Sequence, residues 1–333
     1  MNDLRESFFD QAGEALVILD KSLRFTDVNE AFVRTTNLKR DQIIGRHITE
    51  VSPGIEHTER YLLCQTVLQT GKPIFIDETR THPGLGNYVS RINVFKLDEG
   101  IGMAIQNITD LKETIDELET FIYESSHNLR GPVSSILGLA DLAIKETNQE
   151  VRVDYFQMVQ QKARLLDSIL SRLMDTASIR KEEKTIHLID FNEIIQGVKE
   201  ILQPMRGFSD VHFEENILMN DRFYSDRRLL HAIFYNLIEN AVKYKQDRGN
   251  AFVKTKVITE NGGVTIVVAD NGIGIADHSQ GKIFDLFFRA TERANGPGLG
   301  LYTLKNAVRK LGGHITTSSK EFEGTSFTIH LPN

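Results

Sequence analysis

The stretch ESSHNLRGPVSSILGLAD, residues 124–141, decides how the rest of the chain is read. His127 stands inside it, with Ser126 before it and Leu129, Arg130 and Pro132 after it. Outward from there, Ile108, Leu111, Ile115, Leu118, Ile122, Ser125, Leu129, Pro132, Ile136, Leu139 and Ala143 follow one another in alternating steps of three and four. That alternation is the heptad signature of helices packed along a seam. With Ile108, Ile115, Ile122 and Leu129 at a, His127 falls at f, on the face turned away from the seam. A buried structural histidine would sit at a or d, whereas this one is offered to solvent on a rigid rod. Pro132 has no N–H for the carbonyl of Asn128 and is expected to kink the helix one turn past His127. By itself the stretch leaves a second reading open, a coiled-coil spacer with an incidental surface histidine.

A second heptad run follows at Phe156, Val159, Ala163, Leu166, Leu170, Leu173 and Ala177, separated from the first by the polar turn 147–150. Two antiparallel helices with one apolar seam each cannot bury it alone. Pairing two such hairpins gives a four-helix bundle, so a homodimer is expected. The stretch around His127 resembles the phosphoacceptor helix of two-component sensor histidine kinases. In that family the histidine is followed by an acidic residue, an apolar residue, Arg, a small residue and Pro. Here Asn128 stands in place of the acid and Gly131 in place of the usual Thr or Asn. The resemblance implies that His127 accepts a phosphoryl group, with Asn128 and Arg130 beside it. It also implies little phosphatase activity, since Gly131 has no side chain to orient a water.

A length of 333 residues suits two or three domains. The net charge of −7 argues against nucleic acid as a main partner. No stretch approaches the ~18 uncharged apolar residues of a membrane span, and the start MNDLRESFFDQ lacks the layout of a signal peptide. One cysteine, Cys64, leaves no internal disulfide and fits a reducing cytoplasm.

Residues 1–110 read as a first domain. Strands are expected at 15–20, 23–29, 73–80, 88–97 and 100–107, with helical pieces at 30–37 and 40–45 and a longer helix at 57–69. This order, and the segments Leu16-Val17-Ile18-Leu19-Asp20, Val28-Asn29-Glu30-Ala31-Phe32 and Asn107-Ile108-Thr109-Asp110, resemble a PAS sensor domain. Its ligand is not readable: Cys64 lies outside the reactive context of flavin sensors, and nothing around His57 supports haem. The heptad run starts where the last strand ends, with no Gly, Ser or Pro linker between them. The hairpin domain is expected over 111–183.

Residues 184–333 read as strands and helices in the order of an α/β two-layer sandwich. The helix expected at 226–245 carries Asn236, Glu239, Asn240 and Lys243 on one face, while Ile233, Leu237 and Ala241 occupy another. That row is either a ligand face, with oxygens suited to Mg²⁺ and a cation for phosphate, or an ordinary solvated face. Asp270-Asn-Gly272-Ile-Gly274 follows a strand, where the glycines allow close backbone approach. Gly296-Pro-Gly298-Leu299-Gly300 opens a helix and would aim N–H groups at an anion. Gly324-Thr325-Ser-Phe327 opens the last strand.

In this order and spacing the four segments resemble the N, G1, G2 and G3 boxes of the histidine-kinase ATP-binding domain, and Phe284, Phe287 and Phe288 resemble its F box. The resemblance implies that Asp270 reads the adenine amine, with Gly272 and Gly274 shaping its turn. Asn240 would hold Mg²⁺ with Asn236 in support and Glu239 as a further candidate. Lys243, Tyr244, Arg289 and Thr325 would contact the nucleotide, and Gly296, Gly298, Leu299 and Gly300 would wrap its phosphates. The expectation for the whole is a cytoplasmic, dimeric sensor kinase of multidomain α+β fold. ATP would phosphorylate His127, and the phosphoryl group would pass to an aspartate on a separate response regulator. A related ATPase or serine kinase, and a non-catalytic ATP-binding scaffold, are the alternatives.

Overall fold

The structure, a computed structural model, describes residues 2–81, 88–246, 249–260, 262–291 and 297–333, with residues 2–6 described by their backbone alone. The first unit is built on a five-stranded antiparallel sheet. Its strands are β1 (Ala15–Asp20), β2 (Phe25–Val28), β3 (Ile74–Arg80), β4 (Val89–Leu97) and β5 (Gly100–Asn107), in the order β2-β1-β5-β4-β3. Along β1 burial alternates residue by residue, so Val17 and Leu19 enter the core. Helix α1 (Asn2–Gln11), which the sequence reading omitted, precedes the sheet. Helices α2 (Glu30–Thr36), α3 (Ile48–Val51) and α4 (Glu59–Thr70) lie between β2 and β3.

Asn29 explains why the segment after β2 reads as it does. It is fully buried, and its amide satisfies four backbone groups. The oxygen accepts from the N–H groups of Leu16 (2.9 Å) and Phe32 (3.0 Å), and the nitrogen donates to the carbonyls of Phe9 (3.0 Å) and Glu14 (2.9 Å). One side chain thus caps α2 and ties the chain before β1 to the sheet. Cys64 is buried, and burial pushes its thiol up to about 11, so it serves packing rather than reactivity. His57 is exposed.

Two long helices follow, α5 (Thr109–Lys145) and α6 (Gln149–Lys181). The helix bounds run without interruption through Pro132. Asn148 caps α6 by accepting from the Glu150 N–H at 2.9 Å. Within the single chain the apolar seam is largely open: Ile122, Phe156 and Leu170 are all exposed. The residues of α6 that one chain does bury, Ile169, Thr176 and Ile179, lie one to two positions away from the expected seam. Thr176 and Ile179 face the last unit, so α6 carries two working faces where the heptad pattern marked one.

In the last unit β7 (Val211–Met219), β9 (Ala251–Glu260), β10 (Gly263–Asp270), β11 (His314–Lys320) and β12 (Gly324–Pro332) form a sheet ordered β11-β12-β10-β9-β7. The β7–β9 pair is parallel and the others antiparallel. Helices α7 (Phe191–Leu202), α8 (Arg227–Lys243) and α10 (Gly300–Lys310) share one apolar core with it, and α9 (Asp277–Gln280) is a short turn. The first strand of this unit, β6 (His187–Leu188), is only two residues long and pairs with β8 (Tyr224–Ser225) outside the main sheet. Asp190 is the reason, because it caps α7 from the Asn192 and Glu193 N–H groups and turns the chain into a helix. Asp226, fully buried, caps α8 in the same way at the Arg228 and Leu229 N–H groups.

Candidate functional site

On α8, Ile233, Leu237 and Ala241 are buried in the core, as their spacing predicts. The opposite face brings Glu239, Asn240, Lys243 and Tyr244 to one wall of a cleft. The other walls are Asp270 at the end of β10, Gly274 after it, Arg289, Gly298 and Leu299 before α10, Gly300 at its start, and Thr325 on β12. Apolar side chains from Ile273, Ile275, Ile283 and Phe327 line the same space. An apolar slot closed by one carboxylate suits a purine with an exocyclic amine.

Asp270 is held firmly. Its Oδ1 accepts from the Gly272 N–H at 2.8 Å, and Thr325 lies opposite it in the β10–β12 register. Burial raises its pKa to about 6, against the lowering effect of the backbone N–H groups of Gly272 and Thr325. Gly274 has φ +67, and a Cβ there would stand 2.0 Å from the Lys320 carbonyl, so the turn under the slot admits only glycine. Gln246, unmarked by any motif, donates from its amide nitrogen toward the carbonyls of Asn271, Gly272 and Phe322 at 3.0, 3.0 and 2.9 Å. It joins the loop after β10 to the β11–β12 turn.

The other end of the cleft is cationic. Burial lowers the Lys243 pKa; the Glu239 carboxylate opposes this, and the charges of Arg172 and Arg289 reinforce it. Arg172 was absent from the sequence reading. It reaches in from α6 and pairs with Glu239. A crowd of cations around an open space is how a protein prepares for an anion.

Asn236 does not line the cleft. It is buried one turn earlier on α8, its nitrogen donating to the Ala232 carbonyl at 2.7 Å. Its oxygen would lie 2.8 Å from a Cβ on Gly300, so it backs the start of α10 at close range. Gly272 likewise supports from behind rather than lining the space. Gly296 lies outside the described residues. Among the F-box aromatics, Phe288 lines the cleft and Phe284 packs edge-on against Phe327 at 6.4 Å. For Mg²⁺, Asn240 is placed to offer an amide oxygen, while Glu239 is already engaged by Arg172. One protein ligand beside substrate phosphates and waters fits the habit of that ion.

His127, Asn128 and Arg130 do not line the cleft. His127 is exposed on α5, its ring stacked on Tyr123 with centroids 6.5 Å apart. Asn128 donates from its side-chain nitrogen to the Glu124 carbonyl at 2.8 Å and so folds back on its own helix. Arg130 is exposed.

Three family models match the chain, in order. Residues 9–113 match the PAS fold. Residues 117–182 match the His Kinase A (phospho-acceptor) domain. Residues 225–333 match the histidine kinase-, DNA gyrase B- and HSP90-like ATPase. The chain is 24% identical to the sensor protein kinase WalK of Staphylococcus aureus, over 98% of this chain and 80% of that protein. It is 28% identical to the sensor histidine kinase AtsR of Burkholderia thailandensis, over 66% of this chain but 38% of AtsR, well under half of that relative's length. Among solved structures, histidine kinase ThkA, in complex with response regulator protein TrrA, shares the fold at a TM-score of 0.52 and 21% identity. That likeness covers 98% of this chain and 97% of the other. With a sensor fold, a phospho-acceptor domain and a kinase-type ATPase matched in sequence order over most of its length, the chain belongs to the PAS-containing sensor histidine kinases.

Proposed function

We propose that this chain works as a homodimeric protein-histidine kinase that moves the γ-phosphoryl group of ATP to His127 and then to an aspartate of a separate response regulator. The supporting observation is a pairing. An exposed histidine sits on a long helix, and the same chain carries a cleft with an apolar, carboxylate-closed end and a cationic end. Asp270 accepts a hydrogen bond from the adenine amine, and Lys243 and Arg289 balance phosphate charge. Magnesium, when bound at Asn240, would add further charge neutralisation at the phosphates. In the transfer, a ring-nitrogen lone pair of His127 forms the N–P bond, the bond from phosphorus to the ADP oxygen breaks, and the imidazole proton leaves to water. Little covalent help is needed, because such reactions depend on positioning and charge.

The exposed seam residues Ile122, Leu137, Phe156 and Leu170 support the dimer, since a second hairpin would cover them. The domains divide as 1–110, 111–183 and 184–333. Among the described residues no helix is long and apolar enough to cross a membrane; a cytoplasmic location is part of the proposal. Incubation with γ-labelled ATP is the test. An acid-labile, base-stable label is the expected result. An acid-stable, base-labile label, or none from protein with bound ATP, would overturn the proposal.

A further inference from the structure

Arg172 belongs to α6, outside every motif that located the cleft, yet its side chain lines that cleft. The two ends of its guanidinium do different things. Nη2 pairs with a Glu239 carboxylate oxygen. Nη1 stands 4.0 Å from where a Cβ on Gly300 would be, beside the first residue of α10. The N–H groups that open a helix are a ready place for an anion. A guanidinium is a rigid planar fork, so holding one end fixes the direction in which the other can donate.

Both members of the pair are mostly buried, with Arg172 25% and Glu239 15% exposed in their side chains. Lys243 and Arg289 line the cleft as well, so Glu239 shares this end with three cations. A phosphate chain is the kind of anion that such a gathering of cations attracts. Position along α8 says which phosphate. The loop after Asp270 meets α8 at its end, where the Ile273 N–H donates to the Tyr244 carbonyl at 3.0 Å. Glu239 lies five residues earlier, about 7.5 Å back along the helix. Arg172 is therefore at the end of the cleft away from the adenine carboxylate.

We propose that Arg172 binds the terminal phosphate of ATP, with Glu239 as the positioning residue that aims it. This rests on the reading of the cleft as an ATP site. The contact also ties nucleotide state to the hairpin, because α6 and α10 are joined nearby. The Thr176 and Thr303 hydroxyls lie 2.8 Å apart, Arg180 donates to the Tyr302 hydroxyl at 2.6 Å, and the Lys310 ammonium donates to the Ile179 carbonyl at 2.5 Å. By linkage, a terminal phosphate that favours Arg172 favours this docked arrangement, and ADP does so less.

The test is calorimetric titration of the full-length chain with ATP and with ADP. Arg172→Ala should weaken ATP roughly tenfold or more, the scale of a charge-assisted hydrogen bond, while ADP changes less than about twofold. Glu239→Gln should shift ATP in the same direction by less. The double variant should be no worse than Arg172→Ala alone, since Glu239 acts through Arg172. Retained ADP binding reports that a variant is folded. If Arg172→Ala loses both nucleotides, Arg172→Lys decides: an ATP-selective loss supports the proposal, and an equal loss overturns it. Unchanged ATP affinity in Arg172→Ala, with wild type binding ATP, also overturns it and leaves the cleft reading intact. Wild type binding neither nucleotide would remove the cleft reading and Arg172's role together.

Discussion

Asp270 and His127 meet their surroundings in opposite ways. Asp270 is gripped by the Gly272 N–H, sits on a turn that only glycine permits, and has a loop behind it laced by Gln246. His127 has one neighbouring ring, Tyr123, and a following residue, Asn128, that turns its amide back to its own helix. The cleft is organised before its ligand arrives. On the proposed function, His127 is completed by whatever body delivers the phosphoryl group. The difference separates binding from transfer: substitutions in the cleft should change affinity, and substitutions on the hairpin should change rate or assembly.

The largest effect should come from the seam. Leu170 is 43% exposed and Phe156 56% exposed, so glutamate at either position leaves the fold of one chain undisturbed. In a dimer each would bury an unpaired carboxylate, a penalty of about 3–5 kcal/mol. The dissociation constant should rise at least a hundredfold, and light scattering of Leu170→Glu should show a monomer that still binds nucleotide. A stable dimer would put the seam elsewhere.

Asn128→Glu sharpens the same contrast from the acceptor side. An amide cannot take up the imidazole proton, whereas a carboxylate can. A positioned general base is worth ~10²–10⁴ in rate, so initial autophosphorylation should accelerate towards a hundredfold with ATP affinity unchanged. A flat rate in stopped time courses would mean that the proton does not limit transfer.

Asp270→Asn should do the reverse, weakening ATP roughly tenfold and reducing discrimination against GTP, without altering the dimer. A smaller effect follows from pH. Asp270 titrates near 6 in the free protein, and the acceptor form is the carboxylate. Affinity for ATP should fall roughly fourfold between pH 7.5 and 5.5, and this component should vanish in Asp270→Asn. The sign for stability is opposite. The folded pKa lies above the unfolded one of about 3.9, so the protonated acid favours the fold. That contribution is complete below the unfolded pKa and lost as pH rises through 6. A melting temperature of the nucleotide-free protein insensitive to Asp270→Asn over that window would contradict the assignment.

Much of the fold was legible because strand alternation and helix spacing are local. The walls of the cleft, from Asn240 to Thr325, were legible because their residue types sit at element ends where ligands are reached. What was missed is non-local. Arg172 and Glu239 are far apart in the chain, and α6 shows its second face, Thr176 and Ile179, only once α10 is folded against it. Gln246 binds three carbonyls that no spacing rule connects. Asn236 shared the helical row of Asn240, but one turn of α8 was enough to take it behind Gly300 and out of the cleft.

The most direct measurement pairs labelling with binding in His127→Ala. The variant and wild type are titrated with ATP and then incubated with γ-labelled ATP. Equal ATP affinity with complete loss of label is predicted, because the cleft is built without the histidine and the histidine is the acceptor. Full labelling of His127→Ala would contradict the account.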